Sequence, residues 1–196
     1  TFVTRVEVGR GLSVRREKAV MMFTGDIMCA VKHQRLASGH QHDYFDSFRR
    51  VRDILSGADF TAGVLETTSI DRAPFEFEQL RLLTGAPNCN SPSTFISAVA
   101  AAGFNAVVTA NNHNSDCGVE GLKAVDSEIR RCGMLNIGSM GHSLVMTDVK
   151  GIKVAVIAAT MITNNTGWDL SKSGLVNPAG IYSRDYFTEL VNSCLL

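Results

Sequence analysis

Apolar and polar positions alternate in blocks along this chain, and the blocks read as strands and helices in turn. KAVMMF, Lys18 to Phe23, is a short apolar run halted by Gly25-Asp26, the pattern of a buried strand and its turn. Asp43 can cap a helix through DYFDSFRRVRDILSG, where Tyr44, Phe45, Phe48, Val51 and Leu55 fall on one stripe and Gly57 ends it. DFTAGVLE is a second strand, ending at Glu66. SPSTFISAVAAAG, with a serine cap, a first-turn proline and a terminal glycine, is a second helix. FNAVVTA from Phe104 is a third strand, and Val119 to Arg131 a third helix closed by Gly133. Strand, helix, strand, helix implies an α/β fold with a mostly parallel sheet and covered faces.

Beyond these units, SLVMTDVKGIKVAVIAAT splits into two runs about Lys150-Gly151, a β-hairpin or a strand pair feeding the same sheet. Asn164 to Gly180 reads as a surface loop, and SRDYFTELVNSCLL from Ser183 as a short amphipathic helix. Residues 1–17 read as an N-terminal extension and 18–196 as one domain. A chain of 196 residues, 45% hydrophobic, can bury the core of one such domain.

Charge narrows the partners. Nineteen basic residues balance 19 acidic ones, which gives no electrostatic case for nucleic acid or an anionic membrane surface. No apolar run reaches the ~18 to 20 residues of a membrane span. The five cysteines, Cys29, Cys89, Cys117, Cys132 and Cys194, are widely spaced, never in a C-x-x-C pair, and read as free thiols filling core or loops. Free thiols favour a cytoplasmic setting, although a chain starting at Thr1 is compatible with a removed signal or anchor, so the compartment stays open.

The chemistry gathers at the strand ends. In open parallel sheets, ligands collect beyond the carboxyl ends of the strands because those loops share one edge. Asp26 follows the first strand, Glu66 the second, and Asn111, Asn112 and His113 the third. Hard oxygen ligands mixed with imidazole suit Mn, Mg, Fe or Zn. Each residue also has a plainer reading: Asp26 in an Asx-turn, Glu66 as a cap or ion-pair member, the asparagines as turn formers. His33, His40 and His42 lie in a polar loop and His142 in a turn, positions that suit solvation better than ligation.

FTGDIM (Phe23 to Met28), ADFTAGVLETT (Ala58 to Thr68) and AAAGFNAVVTANNHNSDCGVEGL (Ala100 to Leu122) together resemble the CapA, or poly-γ-glutamate capsule biosynthesis, family. The resemblance runs from about Ala19 to Thr160 and weakly on to the C-terminal helix. It implies kinship with calcineurin-like metallophosphoesterases, whose layered αββα fold holds two metals between two central sheets. By that resemblance Asp26, Glu66 and Asn112 are metal ligands. His113 is the catalytic acid or electrostatic stabiliser, Asp116 orients it, and Gly118 and Gly121 permit tight entry into the helix.

The chain departs from the family pattern in three places. The Asn of the usual N-L-E triplet is Val64, and Lys32 is the basic residue near G-D-x-M, where Arg is absent. Leu196 precedes the H-W-G-x-E and G-x-H-x-H segments that supply the remaining histidine ligands. Two metals are therefore expected in a complete member and one or none here, with self-association through the face left open. Two functions compete: a metal-dependent, phosphoesterase-like hydrolase acting on a small-molecule or polyglutamate-pathway substrate, or a truncated, degenerate relative that binds without catalysis.

Overall fold

The protein is described from a computed structural model over residues 4–9, 18–29, 43–71, 89–162, 164 and 182–194. Strands β1 (Thr4–Gly9), β2 (Lys18–Ile27), β3 (Phe60–Leu65), β4 (Ala106–Val108) and β5 (Leu135–Ile137) form one sheet in the order β1-β2-β3-β4-β5. β2 to β5 are parallel and β1 adds antiparallel to β2. The run expected as an extension thus contains an edge strand, and its alternating TRVEVG is the signal that marks it. Helices α1 (Arg52–Leu55), α2 (Ser93–Ala101) and α3 (Gly118–Arg131) lie between the strands in sequence, as parallel crossovers require. β6 (Leu144–Val149) and β7 (Ile152–Ile157) pair antiparallel as a sheet of their own, so the Lys150-Gly151 turn makes a hairpin and does not feed the main sheet. Lys150 itself adopts positive φ (52°) there. Helix α4 (Arg184–Ser193) is capped by Ser183, whose side chain accepts from Tyr186 N.

Two cores explain the layering. Leu65, Val107 and Ile27 pack with Ile96, Val99, Val125 and Ile129 of the helices. On the opposite face Ala19, Met21, Phe60, Ala62, Ala106 and Ile137 meet Val149, with Val145, Ile152, Val154 and Val156 of the hairpin against them. Helices, main sheet and hairpin therefore stack as three layers, each sheet position choosing its face by the period of two.

Phe23 and Asp26 break that period, because Phe23 pairs with Ala62 while Asp26 pairs with Val64, one residue more on β2 than on β3. This bulge moves odd-numbered positions from the hairpin side (Ala19, Met21, Phe23) to the helix side (Ile27, Cys29). The strand consequently runs through Gly25-Asp26 to Ile27 where a turn was expected.

The helix expected from Asp43 to Gly57 is divided. Asp43 does cap it, accepting from Phe45 N at 3.1 Å, but Tyr44–Phe48 is a 3₁₀ turn and α1 is a single turn. Phe45, Val51 and Ile54 remain exposed, so too little of the apolar stripe is covered to hold a continuous helix. His33, His40, His42 and Lys32 lie outside the described residues, as does the Asn164–Gly180 loop except for Asn164. Among the described residues no helix is long and apolar enough to cross a membrane.

Candidate metal and acid-base site

β2, β3 and β4 run parallel as neighbours, so their carboxyl ends share one edge. Asp26 sits just past the bulge with its side chain exposed, and Glu66 N donates to Ile27 O at 3.0 Å, which sets Glu66 beside it. Burial, then the charge of Asp26, lifts the Glu66 carboxyl above the ordinary carboxylate range; His113 opposes that shift and Asp116 adds to it. Glu66 therefore lies within electrostatic reach of all three groups along this edge, and the direct contact seen among the four is that of His113 with Asp116.

The loop after β4 is held residue by residue. Asn111 donates from Nδ2 to Leu65 O (2.8 Å) and accepts from His113 N at Oδ1 (3.0 Å), tying the loop to the end of β3 next to Glu66. His113 is buried, and its Nδ1 lies 2.8 Å from Asp116 Oδ2. The same oxygen accepts from Cys89 N at 2.6 Å. The Asp116 hydrogen bond, then one with the Cys89 thiol, pushes His113 from 6.5 up to about 10 against the opposing effect of burial. The ring is thus an imidazolium at neutral pH, with Asp116 as the group that orients it.

Asn112 is half-buried. Its Nδ2 donates to Asn164 Oδ1 at 3.3 Å, a bond that uses the amide nitrogen and not its oxygen, and its carbonyl accepts from Asn164 N at 2.9 Å. The Asn164 amide also lies 3.2 Å from His113 Nδ1. Gly118 opens α3 at φ 63°, and a Cβ at Gly121 would lie 2.7 Å from Cys117 Cβ and 3.0 Å from Thr68 Cγ2. Gly118 is thus required by its left-handed backbone and Gly121 by the close approach of Cys117 and Thr68.

Two elements of this rim are not evident from sequence. Cys89, expected to be filler, is clamped by main-chain bonds: Cys89 O accepts from Thr68 N (3.0 Å) and Thr68 Oγ1 (3.0 Å) while Cys89 N holds Asp116. Asn164 covers His113 from a distant segment. All five cysteines are free, as expected. His142, expected to be plain surface, is half-buried with Nε2 2.7 Å from Arg130 Nη2 and 3.9 Å from Asp126 Oδ1. Asp126 Oδ1 accepts in turn from Asn136 Nδ2 (2.7 Å), whose Oδ1 accepts from Thr109, so His142 closes the outer end of a buried polar chain.

The family described as bacterial capsule synthesis protein PGA_cap matches residues 20–184, a span that holds every one of these rim residues. The chain belongs to this family. Its members have the metallophosphoesterase-like fold, in keeping with the layered sheets and the mostly parallel order seen here. The chain is 25% identical to capsule biosynthesis protein CapA of Bacillus anthracis over 168 residues, 82% of this chain and 39% of that protein. It is 30% identical over 118 residues to uncharacterized proteins y4sH and y4uA of Sinorhizobium fredii (strain NBRC 101917 / NGR234), 60% of this chain and 24% of each. The chain therefore spans well under half the length of these relatives. The relationship to capsule biosynthesis proteins is established by the family match and the CapA similarity.

The donor set at the rim fits a hard or borderline divalent cation. Asp26 and Glu66 offer carboxylate oxygens and Asn112 an amide oxygen, and a cation would relieve the Asp26 repulsion that adds to burial in lifting Glu66.

Proposed function

We propose that this PGA_cap-family chain carries a metal-dependent, hydrolase-type site and acts on a phosphoester or a poly-γ-glutamate-pathway substrate in capsule biosynthesis. The observation that supports the reading is the shared carboxyl edge of β2, β3 and β4, which carries Asp26, Glu66 and the buried His113–Asp116 pair, the last in contact at 2.8 Å. Asp26, Glu66 and Asn112 would hold a divalent ion such as Mn, Mg, Fe or Zn. The chemistry such an ion supplies is Lewis acidity toward a phosphoryl or carbonyl oxygen and activation of water.

The remaining work falls to the loop. His113, kept protonated by Asp116, can donate a proton to a departing oxygen or stabilise its negative charge. Asp116 accepts from both the ring and Cys89 N, which fixes the imidazolium for that task and keeps the proton on the ring until a stronger base forms. Asn111 holds the loop in register with β3, its side-chain amide bridging Leu65 O and His113 N.

A second reading, a relative that binds without catalysis, draws support from Val64. It pairs with Asp26 at the rim and offers no donor where the resemblance calls for Asn. Metal content by mass spectrometry, beside hydrolysis of an aryl phosphate with added Mn, separates the two. The hydrolase reading expects Mn uptake that Asp26→Asn removes, and turnover lost in His113→Ala. Mn uptake equal in the chain and in Asp26→Asn would overturn it; uptake without turnover favours binding alone.

A further inference from the structure

We propose that Cys89, His113 and Asp116 form a second metal site of softer character, one that takes a thiophilic divalent ion of the zinc class. The ligand atoms offered by these three buried residues all lie within 4.8 Å of one another, and among the described residues theirs is the trio of metal-binding side chains gathered so closely. Sulfur, imidazole nitrogen and carboxylate oxygen are the donors of zinc sites, and three protein ligands leave a fourth tetrahedral position for water or a substrate oxygen. Thiolate in the set selects against Mg and Mn, the ions suited to the oxygen-rich rim of Asp26 and Glu66. The two sets are chemically distinct, and neither Asp26 nor Glu66 takes part in the thiolate site. A thiolate site can therefore exist whether or not the rim catalyses hydrolysis.

The polypeptide around Cys89 is built to hold a ligand still. Thr68 and Asn90 form an isolated parallel bridge, Ser91 N donates to Thr68 O (3.0 Å), and Asn90 Oδ1 and Nδ2 bond Ile70 N (2.8 Å) and Ile70 O (2.9 Å). Cys89 N on Asp116 Oδ2 is a main-chain bond to a ligating carboxylate, the kind of outer support that orients metal ligands. The other buried thiols sit differently. Cys29 belongs to the apolar core, and Cys117 Sγ accepts from Thr68 Oγ1 at 3.0 Å; burial pushes each up to about 12.

Binding is balanced by proton release. The Cys89 thiol gives up its proton as the metal–sulfur bond forms, and the His113 ring gives up the proton on the ligating nitrogen; both leave to solvent. Because the imidazole is shared, an ion bound there takes His113 away from proton donation at the rim. Zinc-class ions are thereby expected to compete with the acid role of His113 without displacing an ion held by Asp26 and Glu66.

Cobalt(II) is the probe, added to the metal-free chain without oxygen. The expected result is a thiolate-to-cobalt charge-transfer absorption in the near ultraviolet that saturates at about one ion per chain and is displaced by zinc. It should vanish in Cys89→Ser and persist in Cys117→Ser and Glu66→Gln. No such absorption from the unaltered chain, or its persistence in Cys89→Ser, overturns the proposal. Should Cys89→Ser fail to fold, the unaltered chain still decides. One equivalent of zinc should slow alkylation of Cys89 at least tenfold, located by peptide mapping, and leave Cys194 unchanged; equal alkylation of Cys89 with and without zinc overturns the proposal.

Discussion

Asp116→Asn isolates the electrostatics of the rim. In the metal-free chain the ring of His113 is lifted from 6.5 to about 10, chiefly by the Asp116 hydrogen bond and then by Cys89, while burial works against it. An asparagine keeps an oxygen for the ring N–H but removes the negative charge, the largest of the raising effects; Cys89 still outweighs burial, so the imidazole should titrate well below the wild-type value of about 10 while staying above 6.5. Each tenfold gain in proton affinity corresponds to about 1.4 kcal/mol, so the wild-type lift would amount to about 5 kcal/mol without solvent. Solvent at the rim screens it to about 2–3 kcal/mol. The sign follows from proton linkage: the folded state holds a proton more tightly than the unfolded one, so the stabilisation is complete below pH 6.5 and is lost as pH rises through about 10. Cys29 and Cys117, lifted from 9.0 to about 12, add a similar loss only above pH 9, so the window from 6.5 to 9 reports His113. The assay is urea denaturation with chelator across that window, beside the proton NMR titration of the His113 ring. Wild type should lose most of its His113 contribution between pH 6.5 and 9 while the variant shows a distinctly shallower slope. Equal slopes in the two proteins, or a wild-type ring titrating near 6.5, would refute the reasoning.

Two further outcomes can be checked by denaturation. Glu66 is raised by burial and by Asp26, so its ionised form detracts from stability as pH rises above 4.5 through the folded value; metal-free Glu66→Gln should be as stable as wild type or more so at neutral pH. Saturating Mn should then stabilise wild type by about 2.7 kcal/mol at a hundredfold excess over Kd and leave the variant's midpoint unmoved. Gly121→Ala drives a methyl to 2.7 Å from Cys117 Cβ and 3.0 Å from Thr68 Cγ2, a clash expected to cost about 1–3 kcal/mol in spite of better helix propensity; an unchanged midpoint would mean that α3 shifts freely.

What is legible in the sequence is what local pattern determines. β2, β3 and β4, the helices between them and the β6–β7 hairpin follow from apolar periodicity and from Gly and Pro punctuation, and with them the shared edge that carries Asp26, Glu66 and His113. β5 escapes because Leu135–Ile137 is three residues with no room for alternation. The bulge escapes because Gly25-Asp26 looks the same whether a strand ends or kinks there, and only pairing with β3 decides. The helix after Asp43 is shorter than its pattern predicts because the stripe is right but its burial is not. Cys89 and Asn164 reach His113 from far along the chain, through contacts that no spacing rule anticipates: Cys89 N to Asp116 Oδ2 spans 27 residues and Asn164 to His113 spans 51.

The crowding of asparagine, histidine and aspartate after β4 poses a choice between turn chemistry and ligand chemistry, and the hydrogen bonds divide it by residue. Asn111 spends both ends of its amide on the backbone, Leu65 O on one side and His113 N on the other, so it is a structural tie. Asp116 is committed to His113 and to Cys89 N, and so it positions. Asn112, between them in role, keeps its amide oxygen out of its bond to Asn164. On the proposed reading the loop presents one oxygen and one imidazolium toward two carboxylates, a task for which the turn alone does not suffice, because an unsupported side chain loses its geometry to rotamer freedom. The surplus of polar residues is the support itself: each group facing the rim is held by a neighbour that faces the backbone. Turn chemistry in TANNHNSDCG is thus the support on which the proposed ligand and acid roles of Asn112 and His113 would rest.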